Sequence, residues 1–191
     1  AAGGVPVFAE IEQDTINLDP DDIGRRITSK TRAVLPVHFG GLACNMDALL
    51  EVIRDVGQKI WVVEDAAHAF GSSYNGRKVG TLGDLTCFSF DAIKNITCGE
   101  GGAVTALDAD IAGRIRKKRV LGMDSSNGRT RIAEAGFRYH LSDINAAIGA
   151  RMIIDGRIAR RGVLSPARDV PYGELARELA EGGILIRADG G

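Results

Sequence analysis

The first 65 residues alternate between short apolar runs and helix-start signals, and this order restricts the possible folds more than any other feature. Asp19-Pro20 opens the first predicted helix, which ends near Thr28, and Asn45 caps the second. The apolar runs, each interpreted as a strand, are Val5–Ile11, Ala33–Val37 and Lys59–Val63. Strand, helix, strand, helix, strand at this spacing is typical of a parallel sheet covered by helices. The chain is therefore predicted to be an α/β protein with a mostly parallel sheet.

The same alternation continues less regularly in the middle of the chain. The further predicted elements are a turn at Tyr74–Arg77, strands at Leu85–Phe90 and Ala103–Leu107, a basic amphipathic helix from Asp108, and a helix from Ser142 to about Ile154. A glycine-rich loop, Gly99–Gly102, precedes the last of these strands. This run is neither a Walker loop nor a dinucleotide fingerprint, because the lysine and the helix that those motifs need are missing.

Composition excludes several functional classes. The 191 residues include 24 Lys and Arg against 25 Asp and Glu, so a net charge of -1 supplies no global basic field for nucleic acid or an anionic membrane. No apolar run approaches the roughly 20 residues that a membrane helix needs. The basic run Arg114–Arg119 is more typical of a solvated helix face than of a nucleic-acid-binding module. We expect no nucleic acid and no membrane among the partners.

The cysteines and the first residues indicate the cellular compartment. Cys44, Cys87 and Cys98 are odd in number and widely spaced, which argues against both a disulfide framework and a zinc site. Reduced thiols are the rule in the cytoplasm, so a cytoplasmic protein without a metal site is expected. The chain starts without Met or a signal-peptide pattern and is interpreted as entered partway.

Two polar residues follow the third predicted strand. Asp65 stands where the strand ends, and the carboxyl ends of parallel strands line the ligand crevice of α/β sheets. An acid there can meet a cationic ring nitrogen, or it can simply cap a helix that starts at Ala66. His68 lies among alanines that leave room for a flat ligand, and the alternative is a histidine buried in the core.

Two more candidates lie around the next strand. Ser89 is flanked by aromatic residues near the strand end, where its hydroxyl can bind a phosphate or bond to the backbone. Lys94 occupies the loop that follows. A lysine beside a desolvated site can attack a carbonyl and form a Schiff base, whereas most loop lysines are only solvated.

Taken together these residues match a known family. The motifs that carry the resemblance are Pro36–Gly40, Val63–Ala69, Phe88–Asn95 with Gly99–Gly102, and Gly136–Gly149. The chain resembles the DegT/DnrJ-type nucleotide-sugar aminotransferases, which are pyridoxal-phosphate enzymes of the aspartate-aminotransferase fold. The resemblance covers roughly residues 5–149. It implies the large, cofactor-binding domain of that fold.

The resemblance also implies a role for each candidate residue. Lys94 would form the Schiff base with pyridoxal phosphate and carry a proton between substrate and cofactor carbons. Asp65 would bond the pyridine nitrogen and keep it protonated. His68 would pack against the ring or bond to it, and Ser89 would bind the phosphate. His38 is expected near the ring hydroxyl. Related dehydratases carry histidine in place of the lysine, so Lys94 favours transamination.

Departures from the family pattern affect both the site and the domain organisation. Arg138 stands where the family has an asparagine that reaches the cofactor phosphate of the neighbouring subunit, and its charge suits the same phosphate. Residues 1–150 are interpreted as the pyridoxal-phosphate-binding core, and 151–191 as a linker or a remnant of the small domain. The family's N-terminal segment and small C-terminal domain are not recognisable.

The implied reaction is amino transfer, with glutamate as donor, to a keto group of a nucleotide-linked sugar. Such reactions serve nucleotide-sugar, cell-surface polysaccharide or secondary-metabolite biosynthesis. A homodimer is expected, because enzymes of this fold build the site from two subunits. The alternative hypothesis is a truncated or regulatory relative that keeps the fold without catalysis.

Overall fold

The computed structural model describes residues 3–125 and 129–139. Its contacts divide the chain into two compact units, which are treated separately. The first holds the residues up to Phe88 together with Val104–Asp108, and the second holds Ser89–Ala103 and the residues from Ala109 onward. The helices and strands are α1 (Pro20–Arg26), β1 (Ala33–Val34), α2 (Met46–Asp55), β2 (Trp61–Asp65), β3 (Ser73–Tyr74), β4 (Arg77–Lys78), β5 (Leu85–Ser89), β6 (Gly102–Ala106), α3 (Ala109–Arg119), β7 (Met123–Asp124) and β8 (Arg131–Ile132).

A four-stranded sheet in the order β1-β2-β5-β6 organises the first unit. β2 pairs in parallel with β1 on one side and with β5 on the other. Along β2, Val62 and Glu64 are buried while Trp61 and Asp65 are exposed, which is the two-residue period of a strand. The predicted α/β fold with a mostly parallel sheet is confirmed.

The two helices of this unit begin where the capping residues predict. The Asp19 carboxylate accepts a hydrogen bond from the backbone N–H of Asp21, and Pro20 occupies the first turn of α1. The Asn45 side chain accepts from the N–H of Ala48 at the start of α2. The face of α2 that packs inward carries the buried residues Met46, Leu49 and Ile53.

The first predicted strand is wrong. Val5–Ile11 forms no strand, and Ile11 contributes only an isolated antiparallel bridge to Leu18. Val5, Val7 and Phe8 are exposed. An apolar, β-branched run becomes a strand only where a neighbouring strand supplies ladder partners, and no described strand pairs with this one.

The second predicted strand is shorter than expected. Regular pairing with β2 ends at Val34, and Val37 returns as a single bridge to Asp65. Pro36 lies between them and has no N–H to donate to a ladder, although its carbonyl still accepts from the Asp65 N–H at 2.8 Å. The predicted turn at Tyr74–Arg77 is a two-residue hairpin between β3 and β4, with positive φ at Asn75 and Gly76.

In the second unit, the basic helix α3 starts one residue later than predicted. Lys117 pairs with Asp124 and Lys118 pairs with Glu134, each at 2.7 Å. The predicted helix from Ser142 and the predicted segment 151–191 lie outside the described residues. No helix within residues 3–125 and 129–139 has the length and apolar character needed to cross a membrane.

Candidate active site

The backbone around Asp65 is held from both neighbouring strands. The Asp65 N–H donates to the carbonyl of Pro36 at 2.8 Å, and its own carbonyl accepts from the His38 N–H at 3.0 Å. On the other side Asp65 lies in register with Cys87, and the Ala66 N–H donates to the Cys87 carbonyl at 2.8 Å. These bonds place Asp65 at the carboxyl end of the sheet, where α/β proteins bind ligands.

The Asp65 carboxylate is exposed and half engaged. Its Oδ1 accepts from the Ala67 N–H at 3.0 Å, which is the local capping role that the sequence left open. Its Oδ2 has no hydrogen-bond partner in the described part of the chain. One oxygen is therefore available to a ligand while the other orients the side chain.

His68 is exposed at the same end of the sheet, so the alternative of a core histidine is wrong. Its ring meets Phe39 edge to face, with centroids 6.2 Å apart. Ala66 and Ala69 are fully buried and the Ala69 N–H donates to the Ala66 carbonyl at 2.9 Å. This tight turn presents the imidazole three residues after the strand-end carboxylate.

His38 does not occupy the position expected from the resemblance. The side chain is wholly buried, and its Nε2 lies 2.8 Å from Oε2 of Glu64. The Cys44 N–H donates to its Nδ1 at 3.1 Å. Both ring nitrogens are therefore engaged inside the protein, which leaves neither for a ring hydroxyl of a ligand.

Glu64 is a buried polar residue that the sequence analysis missed. Burial raises the pKa of its carboxyl, but hydrogen bonds from His38, Thr86 and Gly83 lower the pKa by more. The net result is a pKa below the usual glutamate value and an ionised carboxylate inside the sheet. Strand alternation supplied a signal, because the neighbour of an outward-facing Asp65 must face inward.

In the second unit, Ser89 is the last residue of β5 and Lys94 lies in the loop that follows it. The Ser89 hydroxyl is half-buried and lies 3.4 Å from the backbone N–H of Asp91, so its bond to the backbone is weak. The Lys94 N–H donates to the Asp91 carbonyl at 3.0 Å, which fixes the backbone of the loop. The half-buried Lys94 side chain forms no ion pair with any residue in 3–125 or 129–139.

The glycine-rich run closes this loop. The N–H of Phe90 donates to the carbonyl of Gly101, and the N–H of Cys98 donates back to the Phe90 carbonyl. Gly99 and Gly101 have φ of 86° and 134°, values that side chains rarely tolerate. The glycines therefore allow the chain to turn back toward Phe90 after Lys94, and this accounts for their position in the motif.

Arg138 lies in an exposed, extended segment that bridges to Val120 at the end of α3. Its guanidinium has no partner among the described residues. The segment enters through Gly136, where an added Cβ would collide with the backbone of Gly122. Only glycine permits this approach, which sets the path of the chain into Arg138.

The residues present have the chemistry that pyridoxal phosphate needs. An exposed carboxylate with an open oxygen suits a protonated ring nitrogen, and a lysine without an ion partner suits the aldehyde. Asp65 and His68 belong to the first unit, and Ser89, Lys94 and Arg138 belong to the second. No cluster of metal-ligating side chains occurs within residues 3–125 and 129–139.

A family model and curated relatives both match this chain. A model of the DegT/DnrJ/EryC1/StrS aminotransferase family matches residues 1–162. Among curated proteins, GDP-perosamine synthase of Caulobacter vibrioides is 42% identical over 161 residues, which are 83% of this chain and 43% of that protein. The spore coat polysaccharide biosynthesis protein SpsC of Bacillus subtilis is 41% identical over 160 residues, 79% of this chain and 41% of that protein.

Solved structures of aminotransferases share the fold of this chain. Helicobacter pylori PseC, an aminotransferase involved in pseudoaminic acid biosynthesis, matches with a TM-score of 0.74 and 28% identity over 80% of this chain and 41% of that one. The PLP-form of the putative sugar aminotransferase Spr1654 from Streptococcus pneumoniae matches with a TM-score of 0.69 and 26% identity, over 96% and 60% of the two chains. The chain spans about two fifths of the length of the curated relatives it matches.

Proposed function

The chain belongs to the DegT/DnrJ/EryC1/StrS aminotransferase family, and on that premise we propose that the protein uses pyridoxal phosphate to move an amino group onto a nucleotide-linked keto sugar. The donor in this proposal is glutamate, which leaves as 2-oxoglutarate while the sugar carbonyl becomes an amine. The observation that carries the proposal is the half-engaged carboxylate of Asp65 at the end of β2.

Each candidate residue has a defined task in this proposal. Asp65 holds a proton at the ring nitrogen through its Oδ2, and Ala67 keeps the carboxylate aimed through Oδ1. When bound, pyridoxal phosphate supplies a cationic ring that accepts the electrons released when a proton leaves the amino-acid carbon. Lys94 holds the cofactor through Nζ and then moves that proton. His68 covers the ring face.

The phosphate is assigned to a hydroxyl and a cation. Ser89 has a weak 3.4 Å contact to the backbone, so its hydroxyl is available to a stronger acceptor. Arg138 offers a guanidinium without a described partner, and a phosphate is the anion that a guanidinium binds best. In this proposal the Arg138 that contacts the phosphate belongs to a second copy of the protein, as the family resemblance implies.

A homodimer is therefore part of the proposal. Val5, Val7 and Phe8 are exposed apolar side chains, and we place them among the residues that the second copy would cover. Light scattering of the purified protein tests it. A mass of twice one protomer is expected, and a monomer that retains full activity would remove this part of the proposal.

The amino-transfer half of the reaction can be tested without knowing the sugar. The protein is loaded with pyridoxal phosphate, given glutamate, and assayed for 2-oxoglutarate and for a change in visible absorption. One equivalent of 2-oxoglutarate per active site is expected in the absence of an acceptor sugar. Absence of both signals in a folded protein would favour a non-catalytic relative that keeps the fold.

A further inference from the structure

The carboxylate of Glu64 is a wholly buried polar group next to the candidate site. Its Oε2 lies 2.8 Å from the His38 Nε2, and both side chains are wholly buried. Its Oε1 accepts from the Gly83 N–H at 2.7 Å and from the Thr86 hydroxyl at 2.6 Å. Both oxygens therefore have protein donors, and the carboxylate is fully satisfied without solvent.

The hydrogen bonds assign the proton on His38. The Cys44 N–H can only donate, so the Nδ1 that receives it at 3.1 Å must be unprotonated. The remaining ring proton then lies on Nε2 and points at Glu64. The result is a neutral imidazole that donates to an ionised carboxylate, with a single direction of donation from Cys44 through His38 to Glu64.

This chain of bonds joins the elements that hold Asp65. His38 follows the end of β1 and its backbone N–H bonds the Asp65 carbonyl. Glu64 directly precedes Asp65 on β2, and Thr86 lies opposite Glu64 on β5. Gly83 packs so closely that an added Cβ would come within 3.1 Å of the Glu64 carboxylate. One buried carboxylate therefore bonds the segment after β1, the start of β5 and the loop before β5 to the end of β2.

A buried charge of this kind is costly to desolvate, and apolar side chains often stabilise a fold as well or better. What the carboxylate adds is directional bonding to three fixed groups, the His38 ring, the Gly83 N–H and the Thr86 hydroxyl. We propose that Glu64 and His38 are positioning residues that set the orientation of the Asp65 carboxylate toward the bound ligand. The role of Asp65 itself rests on the proposed function.

Matched substitutions separate positioning from simple loss of stability. Glu64→Gln must break a bond, because its amide NH2 would face either His38 or Gly83, and each of those already donates. His38→Gln retains a donor toward Glu64, whereas His38→Asn retains only the acceptor toward Cys44. Each of these two histidine variants therefore keeps one of the two bonds of the imidazole.

One further pair of variants and one stability control guard against variants that do not fold. Thr86→Val removes one donor to Glu64, and Thr86→Ser keeps it. Ile53→Ala is the stability control, because Ile53 is buried on α2 and its side chain takes no part in the hydrogen bonds of Glu64. It is expected to lower the free energy of unfolding by about 2–5 kcal/mol without altering the site.

Cys87 provides a readout that needs no cofactor. Burial raises the pKa of its thiol, and the charge of Asp65 raises the pKa further. Alkylation by iodoacetamide as a function of pH, followed on the Cys87 peptide by mass spectrometry, measures that pKa. Asp65→Asn should lower it, and Cys87→Ser identifies the peptide. Cys44 is distinguishable because burial raises its pKa to about 11.

The proposal predicts that His38→Asn and Thr86→Val, which leave both carboxylate charges in place, move the Cys87 pKa toward the Asp65→Asn value. In Glu64→Gln the lost negative charge lowers the Cys87 pKa as well, so the two other variants decide the positioning role. The proposal also predicts at least tenfold weaker binding of pyridoxal phosphate in these three variants, with changes under threefold in His38→Gln, Thr86→Ser and Ile53→Ala. A Cys87 pKa equal to wild type in folded His38→Asn and Thr86→Val would overturn it. If wild type binds no pyridoxal phosphate, the proposed function fails, and the thiol titration still decides the positioning role.

Discussion

Asp65, the last residue of β2, pairs with Cys87 in the middle of the parallel strand β5, and the Ala66 N–H donates to the Cys87 carbonyl at 2.8 Å. Side chains at paired positions of neighbouring strands lie on the same face of the sheet. Both side chains are exposed there. The Cys87 thiol is thus next to the Asp65 carboxylate, which in the proposed function binds the ring nitrogen of pyridoxal phosphate.

Because of this pairing, bound cofactor should shield Cys87. Alkylation of Cys87 at a fixed pH is expected to slow at least fivefold when the protein is saturated with pyridoxal phosphate. Labelling of the Cys87 peptide, compared between apo and loaded protein, measures the effect. Equal rates in the two forms would contradict a cofactor at this strand end.

Asp65→Asn should remove most amino-transfer activity while leaving the fold intact. An amide cannot hold a proton on the ring nitrogen by charge, so a loss of at least 100-fold in kcat is expected. The exposed carboxylate contributes little packing, so thermal unfolding should change little. Asp55→Asn, an exposed acid at the end of α2, is the control and should retain wild-type activity.

Arg138→Ala should weaken retention of the cofactor. Loss of a charge-assisted phosphate contact corresponds to about 1.5–3 kcal/mol, or roughly 10- to 150-fold in Kd. Arg131→Ala removes another exposed arginine, on β8, and serves as the control. Equilibrium dialysis against pyridoxal phosphate measures both, and an unchanged Kd in Arg138→Ala would remove Arg138 from the site.

Substitution of two glycines by alanine should change stability in opposite directions. At Gly83 an added Cβ would come within 3.0 Å of Val62 and 3.1 Å of Glu64, so a loss of about 1–3 kcal/mol is expected. At Gly113, inside α3, nothing lies within 4 Å of the added Cβ, and a gain of about 0.5–1 kcal/mol is expected. Urea denaturation measures both, and equal effects would contradict the packing around Glu64.

Asp22 should make the free energy of unfolding depend on pH in the acid range. Hydrogen bonds from the Arg26 guanidinium and the Glu10 N–H hold the pKa of Asp22 at about 2, below the usual 3.8. Because the folded pKa is the lower one, its stabilising effect is complete above about pH 4 and is lost as the pH falls through 2. Unfolding of wild type and Asp22→Asn, compared from pH 6 to 2, should converge at the acid end. A constant difference would contradict this assignment.

Local signals in the sequence predicted the elements that depend on neighbouring residues. The caps at Asp19 and Asn45 and the hairpin at Asn75-Gly76 all depend on contacts within a few positions. Asp65 was placed correctly at a strand end because a buried apolar run has a readable boundary. The parallel direction of the strands followed from the alternation of strands and helices.

Features that depend on distant residues were not predictable in the same way. Val5–Ile11 has strand-forming residues, but whether it becomes a strand depends on an available neighbour. The Glu64–His38 pair joins positions 26 residues apart in sequence, and no local pattern marks His38 as its partner. His38 was assigned to the ligand by resemblance, while the fold uses both its nitrogens internally.

Covalent capture of pyridoxal phosphate shows whether Lys94 is the lysine that forms the Schiff base with the cofactor. The protein is incubated with pyridoxal phosphate, reduced with borohydride, digested and analysed by mass spectrometry, with Lys94→Ala and the exposed-residue control Lys30→Ala treated alike. One pyridoxyl adduct is expected on the peptide that contains Lys94 in wild type and in Lys30→Ala, and none on that peptide in Lys94→Ala. An unmodified Lys94 in folded wild-type protein, or an adduct spread over exposed lysines, would contradict this role of Lys94.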